Sequence, residues 1–294
     1  MAFATVALPP SPVASTAPPR AANKLALSIT GRTYLSYSQM ALMRSCPRRF
    51  AFQYVERVPH DFVPTSLLFG GSIHAAFEFY FRCRLEGLEV TPEALLSAYH
   101  DAWHRQVRDA GDGVPVRFNK GEDIDKLHTL ADRVVAAFLA SPLAAPKGKI
   151  IGIEEQLRVM LHPSLPDVLA KVDLVTQTDG SLHVIDFKTS RCRWSEQRAR
   201  ESADQLLLYG VTVADMSQSL GLPVKLHFAV VTKGKAPAIQ LLAVPTNAVR
   251  VTSLAAGVAA VWRAIQAKNF YPSPSPQNCT TCQFRSRCPV FHGS

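Results

Sequence analysis

The spacing of apolar and polar positions changes near the middle of the chain, and that change sets out its elements. Up to about residue 140 the helical pattern dominates. Ser36 and Ser38 are candidate N-caps for SQMALMRSC, and the pattern resumes after Pro47 in RRFAFQYVERV. The segment SLLFGGSIHAAFEFYFRCRLEG is apolar on most sides, which predicts a buried helix. Two further helices are expected over 92–109 and 122–140, and Pro142 and Pro146 mark the break that follows. From Lys149 the period becomes two: KIIGIEEQLRVML, VLAKVDLVTQ and SLHVIDFKTS read as strands. Helical spacing returns from Arg198 to Leu220, strands from Lys225 to Val231 and Ala238 to Val244, and a helix from Asn247 to Lys268. No internal repeat is visible. The expected architecture is a single α/β domain over 31–294, with a helical portion over 31–147, a sheet and its helix over 148–245, and a C-terminal helix and cysteine-rich tail over 246–294. Residues 1–30, rich in Ala, Pro and Ser, read as a flexible tail.

Composition narrows the partners. Of the 294 residues 47% are hydrophobic and 19% charged, the balance of a folded domain, and no apolar run reaches the roughly 20 residues of a membrane span. The net charge of +9 favours polyanions, among which nucleic acid is the commonest partner. No secretory apolar segment is present, so the expected location is cytoplasmic or nucleoid. The tail lacks acidic residues, which leaves organellar targeting open. Six cysteines without a secretion signal point to metal binding rather than disulfides.

The strongest chemical signal is a hairpin. Thr178-Asp179-Gly180 lies between two alternating runs, and Asp-Gly there predicts a type I′ turn, whose two central residues need positive φ. A two-residue turn pairs Thr178 with Ser181 and, counting back, sets Asp173 across from Asp186. Lys188 projects on the same side as Asp186. Facing Cβ atoms lie about 4.5 to 5.5 Å apart, close enough for both carboxylates to hold one cation. Hard carboxylate oxygens suit Mg2+ or Mn2+, which neutralises phosphate charge and lowers the pKa of bound water, the chemistry of phosphodiester hydrolysis. Lys188 would orient that water or stabilise developing negative charge. The rival reading of the same three residues is a surface salt bridge.

VIDFKTS resembles the D-x-K strand of the PD-(D/E)XK nucleases, and AKVD resembles the preceding strand that carries the first carboxylate. The RecB-like branch of that family, which includes AddB-like and CRISPR-associated exonucleases, adds a helix histidine, an acidic residue on the first strand and a Q-x-x-x-Y helix. Here His74, Glu154 and the pair Gln205 and Tyr209 stand in that order. Glu155 is the rival to Glu154, and shares a strand face with Ile151, Ile153, Leu157 and Val159. The resemblance implies a restriction-endonuclease-like core, a small mixed sheet flanked by helices. It also implies one or two Mg2+ or Mn2+ ions held by His74, Asp173, Asp186 and the backbone carbonyl of Phe187. Where many relatives carry Gly-Arg-Ile-Asp, this chain has Ala170-Lys171-Val172-Asp173.

Cys279, Cys282 and Cys288 form a compact set that lacks a fourth ligand nearby. The resemblance supplies it: LSYSQMALMRSCPRRFAFQYV is similar to the start of nucleases in which an early cysteine, here Cys46, joins three late ones around a 4Fe-4S cluster. Zinc is the alternative occupant. Cys83 and Cys192 fit no ligand set, and Cys83 is expected in the core. The function implied is a DNA nuclease acting on single strands or free ends, in repair or recombination. With no Walker-type loop in the chain, unwinding would fall to a separate helicase. Basic groups near Cys46 and after Lys188 are candidate DNA contacts. The alternative is a non-catalytic iron-sulfur DNA-binding or scaffold subunit.

Overall fold

The computed structural model describes residues 20–246 and 248–292. Most of the expected tail lies outside them, but its last ten residues do not match the expectation. Ala21–Thr30 is a helix, α1, closed by Gly31 in the left-handed conformation (φ 72°). Ala22 and Ala26 pack inward, and Asn23 is buried where its side chain donates to Asp167 Oδ2 (2.7 Å) and accepts from the Asp167 N–H (2.9 Å). The packed face of this helix is Ala22, Asn23, Ala26 and Thr30 while Leu25 and Leu27 are exposed, so its large apolar residues do not mark the buried side.

The helical portion follows. Strand β1 (Tyr34–Ser36) leads into α2 (Tyr37–Ser45), whose start is fixed by a capping box between Ser36 and Gln39. A short helix α3 (Pro47–Phe50) continues into a π-helical turn over Ala51–Val55. Strand β2 (Val63–Pro64) precedes the long α4 (Thr65–Leu85), which is followed by α5 (Pro92–Asp109), strand β3 (Val116–Arg117) and α6 (Ile124–Leu139). Thr91 and Asp123 cap α5 and α6 through their side chains.

The main sheet is mixed and contains β4 (Lys149–Val159), β5 (Asp167–Thr178), β6 (Ser181–Ser190), β7 (Val224–Thr232) and β8 (Ile239–Val244). Its order is β1-β5-β6-β7-β8, with β4 on the other side of β5. Between β6 and its parallel neighbour β7 runs a crossover that the pattern read as one helix. It is three: α7 (Glu196–Glu201), α8 (Asp204–Thr212) and α9 (Ala214–Leu220). Neither Ser202 nor Val213 is a helix breaker, so those joints left no mark on the pattern. Helix α10 (Ala248–Gln266) and two short helices, α11 (Pro276–Thr280) and α12 (Pro289–His292), complete the chain.

Each sheet face has its own core. One gathers Met40, Phe50, Leu207, Tyr209, Phe228 and Trp262 under α2, α8 and α10. The other gathers Phe69, Phe77, Tyr99, Phe138 and Phe187 under α4, α5 and α6. The result is a sheet layered between helices, the restriction-endonuclease-like arrangement expected. The tail docks on the first helices: Asn278 donates to the Ser45 carbonyl (2.7 Å), the Arg48 N–H to the Tyr271 carbonyl (2.9 Å), and fully buried Phe284 packs on Phe52. Among the described residues no helix is long and apolar enough to cross a membrane.

Candidate active site

The register of the β5–β6 hairpin is that of a two-residue loop, running from Thr178↔Ser181 to Leu174↔Ile185. Neither Asp179 nor Gly180 has a left-handed φ, so the turn is not the expected type I′. The Thr178 hydroxyl, which donates to the Ser181 carbonyl (3.1 Å), fastens it instead.

The ladder ends one residue short of the expected Asp173↔Asp186 pair. Asp173 Oδ2 instead accepts a hydrogen bond from the backbone N–H of Phe187 (2.6 Å). On the other side, β4 pairs Ile153↔Leu174 and Glu155↔Val172 but skips Glu154, whose φ is 54°. Strand β1 joins β5 only at residues 167–169. Asp173 therefore sits where β5 has lost β6 and not yet met β1. The burial alternation changes phase there too: Val172 and Val175 enter one core, Leu174 the other. Together with a bulge between Ile150 and Gly152, this shift corrects the expected face of β4, since Ile153 packs on the opposite side from Ile151, Leu157 and Val159. A non-glycine residue held left-handed costs about 1–2 kcal/mol and persists only where its surroundings over-determine it. Here the paired residues on both sides of Glu154 do so.

This irregularity brings Glu154 and Asp173 to helix α4. Ligand atoms of His74, Glu154 and Asp173 all lie within 4.8 Å of one another. His74 Nδ1 is 3.7 Å from Asp173 Oδ1, and its ring stands edge-on to Phe187, centroids 5.8 Å apart. Burial alone would lower the His74 pKa, but the nearby carboxylate of Asp173 outweighs it, and Asp186 adds to the rise. Burial pushes Asp173 upward, yet His74, the Phe187 N–H and Lys188 together hold it below the usual carboxylate range. Asp186 is the reverse case. It is 1% exposed, and burial with the charge of Asp173 raises its pKa to about 6 against the pull of Lys188.

Lys188 Nζ lies 2.6 Å from Asp186 Oδ2 and donates to Gln205 Oε1 (2.7 Å), while Gln205 Nε2 donates to the Tyr209 hydroxyl (2.6 Å). One turn of α8 thus ties the lysine to the core. Burial, with the charges of Asp186 and Asp173, raises the Tyr209 pKa and keeps the phenol neutral.

Two residues that the sequence did not single out for the site belong near it. Lys171, on the strand that carries Asp173, forms an ion pair with Glu154. Burial and nearby Asp173 raise the Glu154 pKa while Lys171 opposes them. Tyr37 of α2 has its pKa raised by burial, and the charges of Lys188 and Asp186 reach it. The position of Lys171 in the AKVD run was the available signal; Tyr37 left none.

The donor set suits a hard divalent cation, because the carboxyl groups of Glu154 and Asp173 converge with His74, while the buried Asp186 lies outside that group, paired with Lys188, and the lysines balance only part of the negative charge. Lys171 occupies part of that electrostatic role without a cation. Lys171→Met is therefore expected to tighten Mn2+ binding several-fold, read by calorimetric titration without DNA; weaker binding would show that Lys171 helps form the site.

Among the described residues no other group of three or more His, Cys, Asp or Glu brings ligand atoms so close. The four cysteines expected to share a cluster are therefore not gathered at that distance. Burial raises the Cys282 pKa, and the charges of Cys46 and Cys288 add to it. Cys279 lies one turn from Cys282, through the Cys282 N–H to Cys279 carbonyl bond (3.3 Å). Cys83 is half-buried on α4 and Cys192 is exposed. Of the basic residues expected to grip DNA, Arg48 is turned onto Glu56 (2.8 and 3.2 Å) and Arg198 lies over the Trp194 ring (4.7 Å).

The sequence model of the PD-(D/E)XK nuclease superfamily matches residues 34–289. No curated protein matches the chain. Among solved structures, a protein of Eubacterium rectale described as a candidate exonuclease is 15% identical, with a TM-score of 0.44, over 89% of this chain and 88% of its own. The protein SSO0001 is 13% identical, with a TM-score of 0.33, over 80% of this chain and 91% of its own.

Proposed function

Because the chain belongs to the PD-(D/E)XK nuclease superfamily, we propose that it hydrolyses phosphodiester bonds of DNA, on single strands or free ends, with one or two Mg2+ or Mn2+ ions. The observation that carries this reading is the convergence of His74, Glu154 and Asp173 beside the ion pair of buried Asp186 with half-buried Lys188. Asp173, Asp186, His74 and the Phe187 carbonyl would hold the cation, with Glu154 as the further acid. A bound divalent ion supplies charge against the phosphate and a lowered pKa for its water. Lys188, fixed between Asp186 and Gln205, presents its ammonium to the attacking water or to the charge that develops on phosphate oxygen. Gln205 and Tyr209 orient Lys188 and hold no proton of the reaction. The net charge of +9 suits the polyanionic substrate. Repair or recombination DNA would be delivered by a separate helicase or processing partner, in the cytoplasm or nucleoid. Incubation with end-labelled single-stranded, duplex and flapped DNA, and with RNA, tests the substrate class. Metal-dependent shortening of single strands or open ends is expected, and cleavage of RNA alone would overturn it.

The same reading places a 4Fe-4S cluster on Cys46, Cys279, Cys282 and Cys288 as a structural staple. It is supported by the docking of the tail on residues 45–62 and by the nearness of Cys46 and Cys288 to Cys282, whose thiol feels their charges. Cys282→Ser is expected to remove visible absorption from anaerobically purified protein and to lower Tm by about 10 °C. A colourless, zinc-containing wild type would replace iron with zinc in this role.

A further inference from the structure

Two cations that the catalytic geometry leaves idle share a cavity beside it. Arg191 directly follows β6, the strand of Asp186 and Lys188, and Lys233 directly follows β7. The Lys233 N–H donates to the Ser190 carbonyl (2.7 Å), which holds the two at the same level of adjacent parallel strands. With Ser66, Phe69, Asn119 and Glu122 they line a cavity of about 270 Å³.

The charge balance there is incomplete. Among the described residues neither Arg191 nor Lys233 forms an ion pair. Lys233 is partly buried, with its ammonium 5.4 Å from the centre of the Phe69 ring. Glu122 is the carboxylate on this cavity, and its Oε2 already accepts from the Thr65 hydroxyl (2.8 Å), the Asn119 side chain (2.8 Å) and the Asn119 N–H (3.2 Å). Burial lowers the Lys233 pKa; Glu122 opposes this and Arg191 adds to it. Two like charges held together at a partly desolvated surface favour an anion between them. Helix α4 also begins here, its first turn without a side-chain cap and its positive dipole end on the cavity.

The position relates this cavity to the catalytic centre. Ser66, Gly70 and His74 fall at four-residue steps along one face of α4. Gly70 lies against Thr189, next to Lys188 on the chain; a Cβ on the glycine would stand 3.2 Å from Thr189 Oγ1. At 1.5 Å of rise per residue, the Ser66 end of this face is about 12 Å from His74. A guanidinium fork and an ammonium are the partners of a tetrahedral oxyanion.

Resting on the DNA-cleavage reading, we propose that the Arg191–Lys233 cavity binds a phosphate of the substrate strand other than the one cleaved, and so sets the register of the strand over the catalytic carboxylates. Fluorescence anisotropy on the Asp186→Asn protein tests this without cleavage, using labelled oligothymidylate across a NaCl series, with and without added Arg191→Ala or Lys233→Ala. Each substitution is expected to weaken binding about tenfold and to reduce the salt slope by about one phosphate contact. Replacing the phosphodiesters one at a time by methylphosphonate would then find one linkage at which the variants no longer differ from their parent. If the occupant is a terminal phosphate, the penalty appears only on end-phosphorylated strands. Unchanged affinity and salt slope, or a penalty spread equally over all linkages, would overturn the proposal. Arg191 is exposed, so its variant keeps the test valid should Lys233→Ala fail to fold. Failure of the nuclease reading is separately visible, as a wild type that binds DNA but does not cut it with any divalent metal.

Discussion

Replacing Asp186 by Asn is expected to cut metal-dependent cleavage at least about a thousandfold and, at the same time, to make the metal-free protein more stable at pH 8. The first effect follows from removing the carboxylate that anchors Lys188 and that is proposed above to hold the cation. The second follows from burial. Asp186 is 1% exposed and its pKa in the fold is raised to about 6, whereas the unfolded chain has the ordinary value of 3.8. A carboxyl with a raised folded pKa favours the fold fully below about pH 4, and that contribution is lost as pH rises through 6. Above that, holding the carboxylate charged in the core is a cost, on the order of 1–3 kcal/mol, that the neutral amide avoids. Urea denaturation in EDTA should therefore separate the two proteins at pH 8 and bring them together near pH 4. On the proposed reading, added Mg2+ should stabilise the wild type and leave the variant behind, because a ligand that binds the folded site alone shifts the equilibrium toward the fold. A variant less stable than wild type at pH 8 in EDTA would mean that the Lys188 ion pair outweighs desolvation.

The largest loss of stability is expected from Phe187→Ala, about 3–5 kcal/mol. This ring projects to the opposite sheet face from its neighbours Asp186 and Lys188 and is 1% exposed. It meets Phe77 edge-on at 5.4 Å, stacks on Phe81 at 6.0 Å and supports the His74 ring. Truncation leaves a void under α4 and frees His74 to turn away from Asp173, so metal affinity should fall together with stability. Phe187→Leu, which keeps most of the volume, should retain more of both. Denaturation curves with a Mn2+ titration on each variant check the pairing of effects; a loss under about 1 kcal/mol would mean that the helix can collapse into the space.

Much of this was readable from residue order. The two-residue loop at Asp179 and Gly180 was legible, and with it the register up to Leu174↔Ile185, because period-two alternation leaves little freedom on a sheet with both faces buried. The step beyond was not. Alternation extrapolates a regular strand, and nothing in AKVDLV announces that Asp173 leaves the ladder to accept from Phe187 N–H. Glu154 is similar, since a left-handed backbone usually advertises itself as glycine and here it is carried by a glutamate. Strand alternation alone does not separate Glu154 from Glu155; the structure sets Glu154 beside His74 and Asp173 while Glu155 pairs with Val172. Gln205 and Tyr209 were visible as a one-turn pair on a helix, but their link to Lys188 depends on a crossover broken into three helices at residues with ordinary helix propensity. In the sequence Arg191 is one of several arginines after β6 and Lys233 carries no signal, because two strand ends become neighbours only once β6 and β7 pair.

Single-turnover cleavage of an end-labelled single strand by wild type and Asp186→Asn, each with Mg2+ and with EDTA, puts the metal-dependent site to the most direct test. Cleavage by the wild type in Mg2+ alone is the expected result. A wild type inert with every divalent metal, or an Asp186→Asn protein that cuts as fast as its parent, would contradict the assignment of Asp173, Asp186 and Lys188 as a working nuclease centre.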